Sequence, residues 1–319
     1  MYTSKEYAEL CQILLQTDDP NSLPQAHGRQ HDSTKDIQFR PIDEKFMAAN
    51  PWTQDFKVVH DNMKKDGLIN DLLVHGSMGD GTYTRFSDIE LTVYLKDQAF
   101  RENRRGLRKN IESLNQAILR FDPLQHHGPF FLWPDFASNY NEDVLPLSAY
   151  GKAWAFTGSK IRFCTTESDG SESERKLYST LEKLENPTSS FFKYGITPFS
   201  IKRYMSNFFL VPAFFYQSKK MMLSKRDALF RSETEFGPEY AKALDIASQM
   251  RLNWSRPPKW LGFVRSKLVG TRIPFGRADM LITAIHRKAN IENQARDFLI
   301  PSVKEACESI RDNLANECL

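Results

Sequence analysis

Two apolar segments on either side of a glycine-containing loop place the strongest constraint on the fold of this 319-residue chain. The first segment, residues 71–75, reads Asp-Leu-Leu-Val-His and is typical of a buried strand. The second, residues 88–95, alternates polar and apolar side chains, as a half-buried strand does. Residues 76–87 between them contain three glycines. The sequence therefore predicts two strands joined by a loop whose backbone can turn sharply and approach a ligand closely.

The acidic residues of the second segment lie at its start. Asp88 and Glu90 are two positions apart, so their side chains point to the same face of a strand. Such a pair of carboxylates suits Mg²⁺ or Mn²⁺, which prefer oxygen ligands and keep positions for water and phosphate oxygens. Gly76 and Ser77 directly follow the first strand and offer backbone N–H groups and a hydroxyl to a phosphate. The spacing therefore indicates a site for a divalent metal and a nucleoside triphosphate.

Residues 70–95 resemble the signature of the nucleotidyltransferase superfamily that includes DNA polymerase β, aminoglycoside nucleotidyltransferases and tRNA CCA-adding enzymes. In that family a Gly-Gly or Gly-Ser pair precedes an Asp-x-Asp or Asp-x-Glu pair on a strand–loop–strand scaffold. The resemblance implies phosphate binding for Gly76 and Ser77, and metal binding for Asp88 and Glu90. It also implies transfer of a nucleoside monophosphate from an NTP such as ATP to a hydroxyl-bearing acceptor, with release of pyrophosphate. An Asp-x-Glu pair alone is also typical of a solvated strand, and the adjacent Gly-Ser turn favours the site.

The order of the predicted elements indicates an α+β fold. A long helix over residues 98–121 follows the motif, with further strand candidates at 128–133 and around 153–163. The resemblance implies that these form a polymerase-β-like mixed sheet with flanking helices, in a catalytic domain over residues 1–170. Residues 171–319 are predicted to form a mainly α-helical C-terminal domain that closes the active-site cleft.

Outside the motif the pattern predicts one long loop and several helices. Residues 17–50 are rich in Asp, Pro, Asn, Gln and Ser, a composition typical of loops. The predicted helices cover residues 3–15, 51–67, 176–184, 201–220, 239–253, 277–289 and 301–315.

The group that accepts the proton of the acceptor hydroxyl is open at this stage. Members of the family usually add a third acid from a later strand, and residues 128–133 contain none. Asp135, at the end of that segment, is the best carboxylate candidate. His126 or His127 can instead take the proton near neutral pH, although either imidazole can equally serve a structural hydrogen bond. Further acids nearby are Asp122, Glu142 and Asp143.

Basic and aromatic residues give candidate contacts to substrate. Ser224 is a predicted helix cap that places Lys225 in a first helical turn, and the resemblance implies a lysine from the helical region over the triphosphate. The alternative for Lys225 is a solvated helix junction. Two further groups are candidates for RNA contact. The first is Arg101, Arg104, Arg105 and Arg108, for which the alternative is a solvated helix face. The second is Arg251, Trp254, Arg256 and Trp260, for which the alternative is packing between helices.

Composition limits the partners and the location. The net charge of +3 on 43 basic and 40 acidic residues does not require a polyanionic partner. Four scattered cysteines without CxxC spacing argue against a zinc site or a disulfide framework. The sequence has neither a signal-peptide core nor an apolar run long enough to span a bilayer, which predicts a soluble cytoplasmic protein that does not bind membranes.

The identity of the acceptor and the catalytic competence remain open at the level of sequence. The helical second half resembles the stand-alone aminoglycoside-type and toxin-type enzymes, which favours a small-molecule acceptor, with a tRNA or RNA 3′ end as the next candidate. The alternative function is a catalytically inactive module of the same fold that binds nucleotide, or a protein or RNA partner. The sequence indicates no oligomeric state.

Overall fold

The computed structural model describes four stretches of the chain: residues 33–99, 103–165, 169–271 and 277–317. The predicted helix at 3–15 and Arg101 lie outside these residues. The described residues fall into two compact units. The first unit comprises residues within 33–83, 87–165 and 258–271, and the second comprises residues within 84–86, 169–257 and 277–317.

All the strands of the described chain lie in the first unit. They are β1 (Ser33–Gln38), β2 (Arg40–Pro41), β3 (Ile69–His75), β4 (Glu90–Leu95), β5 (Phe130–Leu132), β6 (Trp154–Ala155) and β7 (Lys160–Thr165). A five-stranded sheet has the order β2-β6-β3-β4-β5, and β1 pairs with β7 in a separate antiparallel ribbon. In the larger sheet β3 is antiparallel to β4 and β6, whereas β4 and β5 are parallel. The prediction of a mixed sheet with flanking helices is therefore confirmed.

Helices account for most of the remaining described residues. They are α1 (Glu44–Ala49), α2 (Thr53–Lys65), α3 (Gly76–Asp80), α4 (Arg104–Phe121), α5 (Pro134–Ala137), α6 (Ser171–Glu185), α7 (Pro198–Phe208), α8 (Val211–Ser218), α9 (Lys225–Glu235), α10 (Pro238–Leu252), α11 (Lys259–Leu268), α12 (Arg277–Ile285), α13 (Ala289–Gln294) and α14 (Ile300–Glu317). A 3₁₀ turn covers Leu147–Tyr150, and a π-helical turn covers Ala295–Leu299. Among the residues that the structure describes, no helix has the length and apolarity needed to cross a bilayer.

The core of the first unit lies between the larger sheet and α2 and α4. Leu107, Ile111, Leu114 and Ile118 recur at helical spacing and form the buried face of α4. That helix packs against α2 and α11. Burial of such an apolar face contributes about 25 cal/mol per Å² of area removed from water, so packing rather than intrinsic propensity holds α4 in place.

A buried carboxylate fastens the centre of the sheet. Asp71 on β3 is fully buried, and its Oδ2 accepts hydrogen bonds from the hydroxyls of Thr157 (2.6 Å) and Ser159 (2.7 Å). Burial raises the pKa of Asp71, but hydrogen bonds from His60, Thr157, Ser159 and the Leu72 amide outweigh it and lower the pKa to about 2. Asp71 is therefore an ionised, fully hydrogen-bonded link between β3 and the segment after β6.

Two local expectations were wrong, and one helix was not anticipated. Residues 33–50, predicted as loop, contain β1, β2 and α1, because β1 is exposed along most of its length and depends on pairing with β7. The predicted helix over 201–220 is divided into α7 and α8, with Pro212 in the first turn of α8. Helix α11 was not predicted, although its buried residues include Leu261 and Arg265.

Candidate functional site

The two carboxylates of the motif lie where β4 begins. Glu90 is the first residue of β4 and pairs with His75, the last residue of β3. Asp88 precedes the strand by two residues, and its side chain is 12% exposed against 38% for Glu90. The turn that starts at Gly76 follows His75 directly, so the carboxylates and this turn share one edge of the sheet.

Gly76 and Glu90 approach each other more closely than any other residue type at position 76 would allow. The φ angle of Gly76 is +61°, in the left-handed region, and a Cβ atom built there would lie 1.7 Å from Glu90 Oε2. Gly76 begins the short helix α3, whose first N–H groups have no partners within the helix itself. The half-buried Ser77 follows. The glycine therefore brings backbone N–H groups and a carboxylate to the same place.

A tryptophan binds helix α3, the helix that begins with this turn. Trp154 on β6 donates a hydrogen bond from its indole N–H to the carbonyl of Gly79 (2.9 Å). A Cβ atom at Gly79 would lie 3.0 Å from the Lys152 carbonyl oxygen, so α3 packs tightly against the chain that leads into β6. This contact limits the movement of the Gly76–Ser77 turn.

Both histidines of the His-His pair lie beside Asp88. His126 Nδ1 is 3.6 Å and His127 Nε2 is 3.7 Å from Asp88 Oδ2. The register of β5 explains this placement, because Phe130 pairs with Thr92 in parallel and the residues before β5 therefore run beside the start of β4. The structure thus brings both imidazoles to the carboxylate pair.

The charge of the carboxylates changes the protonation of His127. Burial opposes its charged form, but the adjacent Asp88 carboxylate and the charge of Glu90 outweigh this and raise the pKa of His127. Its Nδ1 lies 3.1 Å from the Gly128 carbonyl oxygen, so in the protonated ring the Nδ1–H donates a hydrogen bond to that carbonyl. With 40% of its side chain exposed, His127 is open to solvent on one side.

A third imidazole lies beneath Glu90 and has a different environment. Burial lowers the pKa of His75, so its ring is neutral at neutral pH. Its Nε2 is 3.0 Å from the Thr92 hydroxyl, which is itself 3.2 Å from the Tyr150 hydroxyl, while Nδ1 is 3.7 Å from Glu90 Oε2. His75 therefore lies between the Glu90 carboxylate and a buried polar network, a position that the sequence pattern did not indicate.

Gln125 is a further residue that sequence reasoning missed. Its side-chain amide is fully buried and forms two hydrogen bonds with the backbone of Ile89, the residue between the carboxylates. The Ile89 N–H donates to Gln125 Oε1 (3.1 Å), and Gln125 Nε2 donates to the Ile89 carbonyl (3.0 Å). A lone glutamine 36 positions away gives no local signal for such a contact.

The acidic candidates after the long helix have other positions or partners: Asp135 lies away from Asp88, and two others bind backbone N–H groups. Asp135 is exposed in α5, beyond Leu132, which pairs with Tyr94 near the C-terminal end of β4. Since β4 has six residues, roughly 20 Å at about 3.3 Å each, Asp135 lies outside the group around Asp88. The Asp122 carboxylate accepts from the Leu124 N–H (3.0 Å), and the Glu142 carboxylate accepts from the Leu147 N–H (2.9 Å). Both of these carboxylates stabilise turns.

Lys225 belongs to the second unit. The Ser224 hydroxyl accepts a hydrogen bond from the Asp227 N–H (3.2 Å), which confirms the predicted helix cap and places Lys225 at the first position of α9. Its ammonium group lies 5.8 Å from the ring centroid of Phe209.

The second group of candidate RNA contacts includes a core residue. Trp254 is 2% exposed and packs edge-on against Phe86, with ring centroids 5.1 Å apart. This burial favours packing over base stacking for Trp254. Trp260, by contrast, is half exposed on α11 in the first unit.

The donor chemistry of the site fits a hard divalent cation. Within the described stretches, no group of three or more His, Cys, Asp or Glu side chains is arranged to enclose an ion. Asp88 and Glu90 supply two carboxylates and leave other coordination positions to water and phosphate oxygens, which is how Mg²⁺ is commonly held. Comparisons with protein-family models, curated proteins and solved structures gave no match.

Proposed function

We propose that the chain is a metal-dependent nucleotidyltransferase of polymerase-β-like fold. It transfers a nucleoside monophosphate from an NTP to a hydroxyl-bearing acceptor and releases pyrophosphate. The observation that carries the proposal is the contact between Gly76 and Glu90, because it joins a phosphate-binding type of turn to a metal-binding type of carboxylate.

The strand arrangement supports the same proposal. The turn leaves β3, the carboxylates lie at the start of the antiparallel β4, and the histidines lead into the parallel β5. Three consecutive strands of one sheet thus deliver different groups to one edge. A solvated strand face would not need the left-handed conformation of Gly76, at which a Cβ atom would lie 1.7 Å from Glu90 Oε2.

Each group at this edge has a proposed role. Asp88 and Glu90 hold Mg²⁺ or Mn²⁺, and such an ion lowers the pKa of a bound hydroxyl and neutralises developing phosphate charge. The Gly76 and Ser77 backbone and the Ser77 hydroxyl bind phosphate oxygens. His126 or His127 accepts the proton of the acceptor hydroxyl, since both imidazoles lie beside Asp88.

A non-catalytic nucleotide-binding module is the second candidate. The observation that favours it is the position of Asp135 beyond the other end of β4, away from Asp88 and Glu90. In that case the protein binds an NTP with Mg²⁺ but does not turn it over.

Thermal unfolding with each of the four NTPs, with and without Mg²⁺, tests the binding site. We expect a Mg²⁺-dependent rise in melting temperature with at least one NTP, because a ligand that binds only the folded state stabilises it. Asp88→Asn should abolish the rise, and Asp245→Asn, the same change at an exposed position on α10 in the second unit, should retain it. An unchanged melting temperature with all four NTPs would contradict both candidates.

Labelled NTP then separates enzyme from module. An NTP labelled in the α-phosphate is incubated with small-molecule hydroxyl acceptors and with RNA, and the label is followed into the acceptor. Transfer that disappears in Asp88→Asn identifies the enzyme and the acceptor class. Binding without transfer to any acceptor favours the module.

A further inference from the structure

The backbone of Ile89, the residue between the two carboxylates, is held by a side chain from another segment of the chain. Ile89 is buried, and its N–H and carbonyl groups both pair with the amide of Gln125. Asp88 and Glu90 are the neighbours of Ile89 on either side, so rotation of the two peptide groups that flank the Ile89 Cα would turn both carboxylates. The Gln125 amide opposes that rotation with one donated and one accepted hydrogen bond.

The segment that carries Gln125 is itself fixed by its own hydrogen bonds. The Gln125 N–H donates to the Asp122 carbonyl (3.1 Å), and the Asp122 carboxylate accepts from the Leu124 N–H (3.0 Å). Residues 122–125 therefore form a tight turn after α4. Gln125 Nε2 also lies 3.2 Å from the His127 carbonyl oxygen, so the same amide links the carboxylates to the histidine pair.

A buried arginine binds this turn from a distant part of the sequence. Arg265 on α11 is fully buried, and its guanidinium donates to the carbonyls of Pro123 and Gln125. Burying a guanidinium is costly unless its N–H groups find acceptors. The two carbonyls offer such acceptors.

The close approach of α11 that permits this contact depends on Gly262. A Cβ atom at Gly262 would lie 2.6 Å from the Leu119 carbonyl oxygen near the end of α4 and 3.0 Å from the Pro123 ring. A larger residue would separate α11 from the turn. Gly262 and Arg265 together therefore hold the turn that presents Gln125.

We infer that Gln125 is a positioning residue of the metal site, and that Arg265 fixes the turn from which it acts. The inference rests on the proposed function, since it assigns to Gln125 the orientation of the carboxylates that hold the metal. Removal of a group that orients metal ligands typically lowers metal affinity by about 10- to 100-fold. We expect a loss of this size for Mn²⁺ in Gln125→Met, which fills a similar volume without the amide.

Electron paramagnetic resonance recorded during a titration with Mn²⁺ measures this loss of affinity directly, because bound Mn²⁺ no longer gives the signal of the free ion. The matched control is Gln217→Met, the same change at a buried glutamine on α8 in the second unit, whose Oε1 accepts from the Ser173 hydroxyl (3.4 Å). Gln125→Met should raise the dissociation constant for Mn²⁺ at least about 10-fold. Gln217→Met should lower the melting temperature by a comparable amount but leave the dissociation constant for Mn²⁺ unchanged.

A second variant keeps the test decisive if Gln125→Met does not fold. Gln125→Asn retains an amide but is one methylene shorter, so it cannot form both bonds to Ile89 and should also weaken Mn²⁺ binding relative to Gln217→Met. Wild-type affinity for Mn²⁺ in a folded Gln125 variant would overturn the inference and leave the proposed function intact. Absence of Mn²⁺ binding by the wild-type protein would overturn both, and Asp88→Asn supplies the reference for a site without metal.

Discussion

Replacement of Gly76 by alanine separates backbone strain from damage to the site. Alanine at φ +61° is expected to cost about 1–2 kcal/mol of unfolding free energy, because Cβ crowds the carbonyl in the left-handed region. The new Cβ would also lie 1.7 Å from Glu90 Oε2, far inside contact distance. The Glu90 side chain is 38% exposed and has room to move outward, so the collision displaces the carboxylate rather than unfolding the protein.

A glycine outside the site provides the control for this variant. Gly67, after α2, has φ +70°, and a Cβ atom added to it would meet nothing within 4 Å, so Gly67→Ala has the strain without the collision. Urea denaturation should give both variants a similar loss, about 1–2 kcal/mol. Binding of Mg²⁺ and NTP, measured by calorimetry, should be retained in Gly67→Ala and lost in Gly76→Ala. Equal binding by the two variants would refute the link between the turn and Glu90.

Three further predictions concern neighbouring polar groups. Asp71→Asn should lower the free energy of unfolding by about 2 kcal/mol at pH 7, because the pKa of this carboxyl falls from 3.8 to about 2 on folding. The ionised carboxylate stabilises the folded state above pH 4, and this stabilisation is lost as the pH falls towards 2. Urea denaturation of both proteins between pH 2 and pH 7 measures the difference. Thr92→Val should cost about 1–3 kcal/mol by urea denaturation, because His75 loses its hydroxyl partner. If His126 or His127 is the base, its replacement by alanine should reduce turnover by about 100-fold or more. The rise in melting temperature caused by NTP should be retained. Full turnover in both alanine variants would exclude an imidazole base.

The parts of the site that were predictable are those encoded by neighbouring residues. Alternation around Asp88 and Glu90 indicated a strand, and the glycine after β3 indicated an unusual turn; β3, β4 and the left-handed Gly76 agree with these expectations. The same holds for the helix cap at Ser224. Short-range patterns carry this information because strand and helix periods act within a few residues.

The supporting contacts were not predictable, because they join segments distant in sequence. Gln125 binds the Ile89 backbone 36 positions away, and Arg265 binds the Gln125 carbonyl 140 positions away. Neither contact leaves a periodic signal, since each is a side chain bonded to main-chain groups that every residue possesses. The placement of Asp135 was also beyond local reasoning, as it depends on the register between β4 and β5.

The return of α11 to the first unit has a consequence for how the chain is made. The first unit is discontinuous in sequence, because residues 169–257 belong to the second unit and residues 258–271 to the first. A truncated chain ending at residue 170 would lack Gly262 and Arg265 and would leave the turn at 122–125 without its guanidinium partner. During synthesis on the ribosome, the edge of the sheet that carries Asp88 therefore reaches its final geometry only after most of the second unit has emerged.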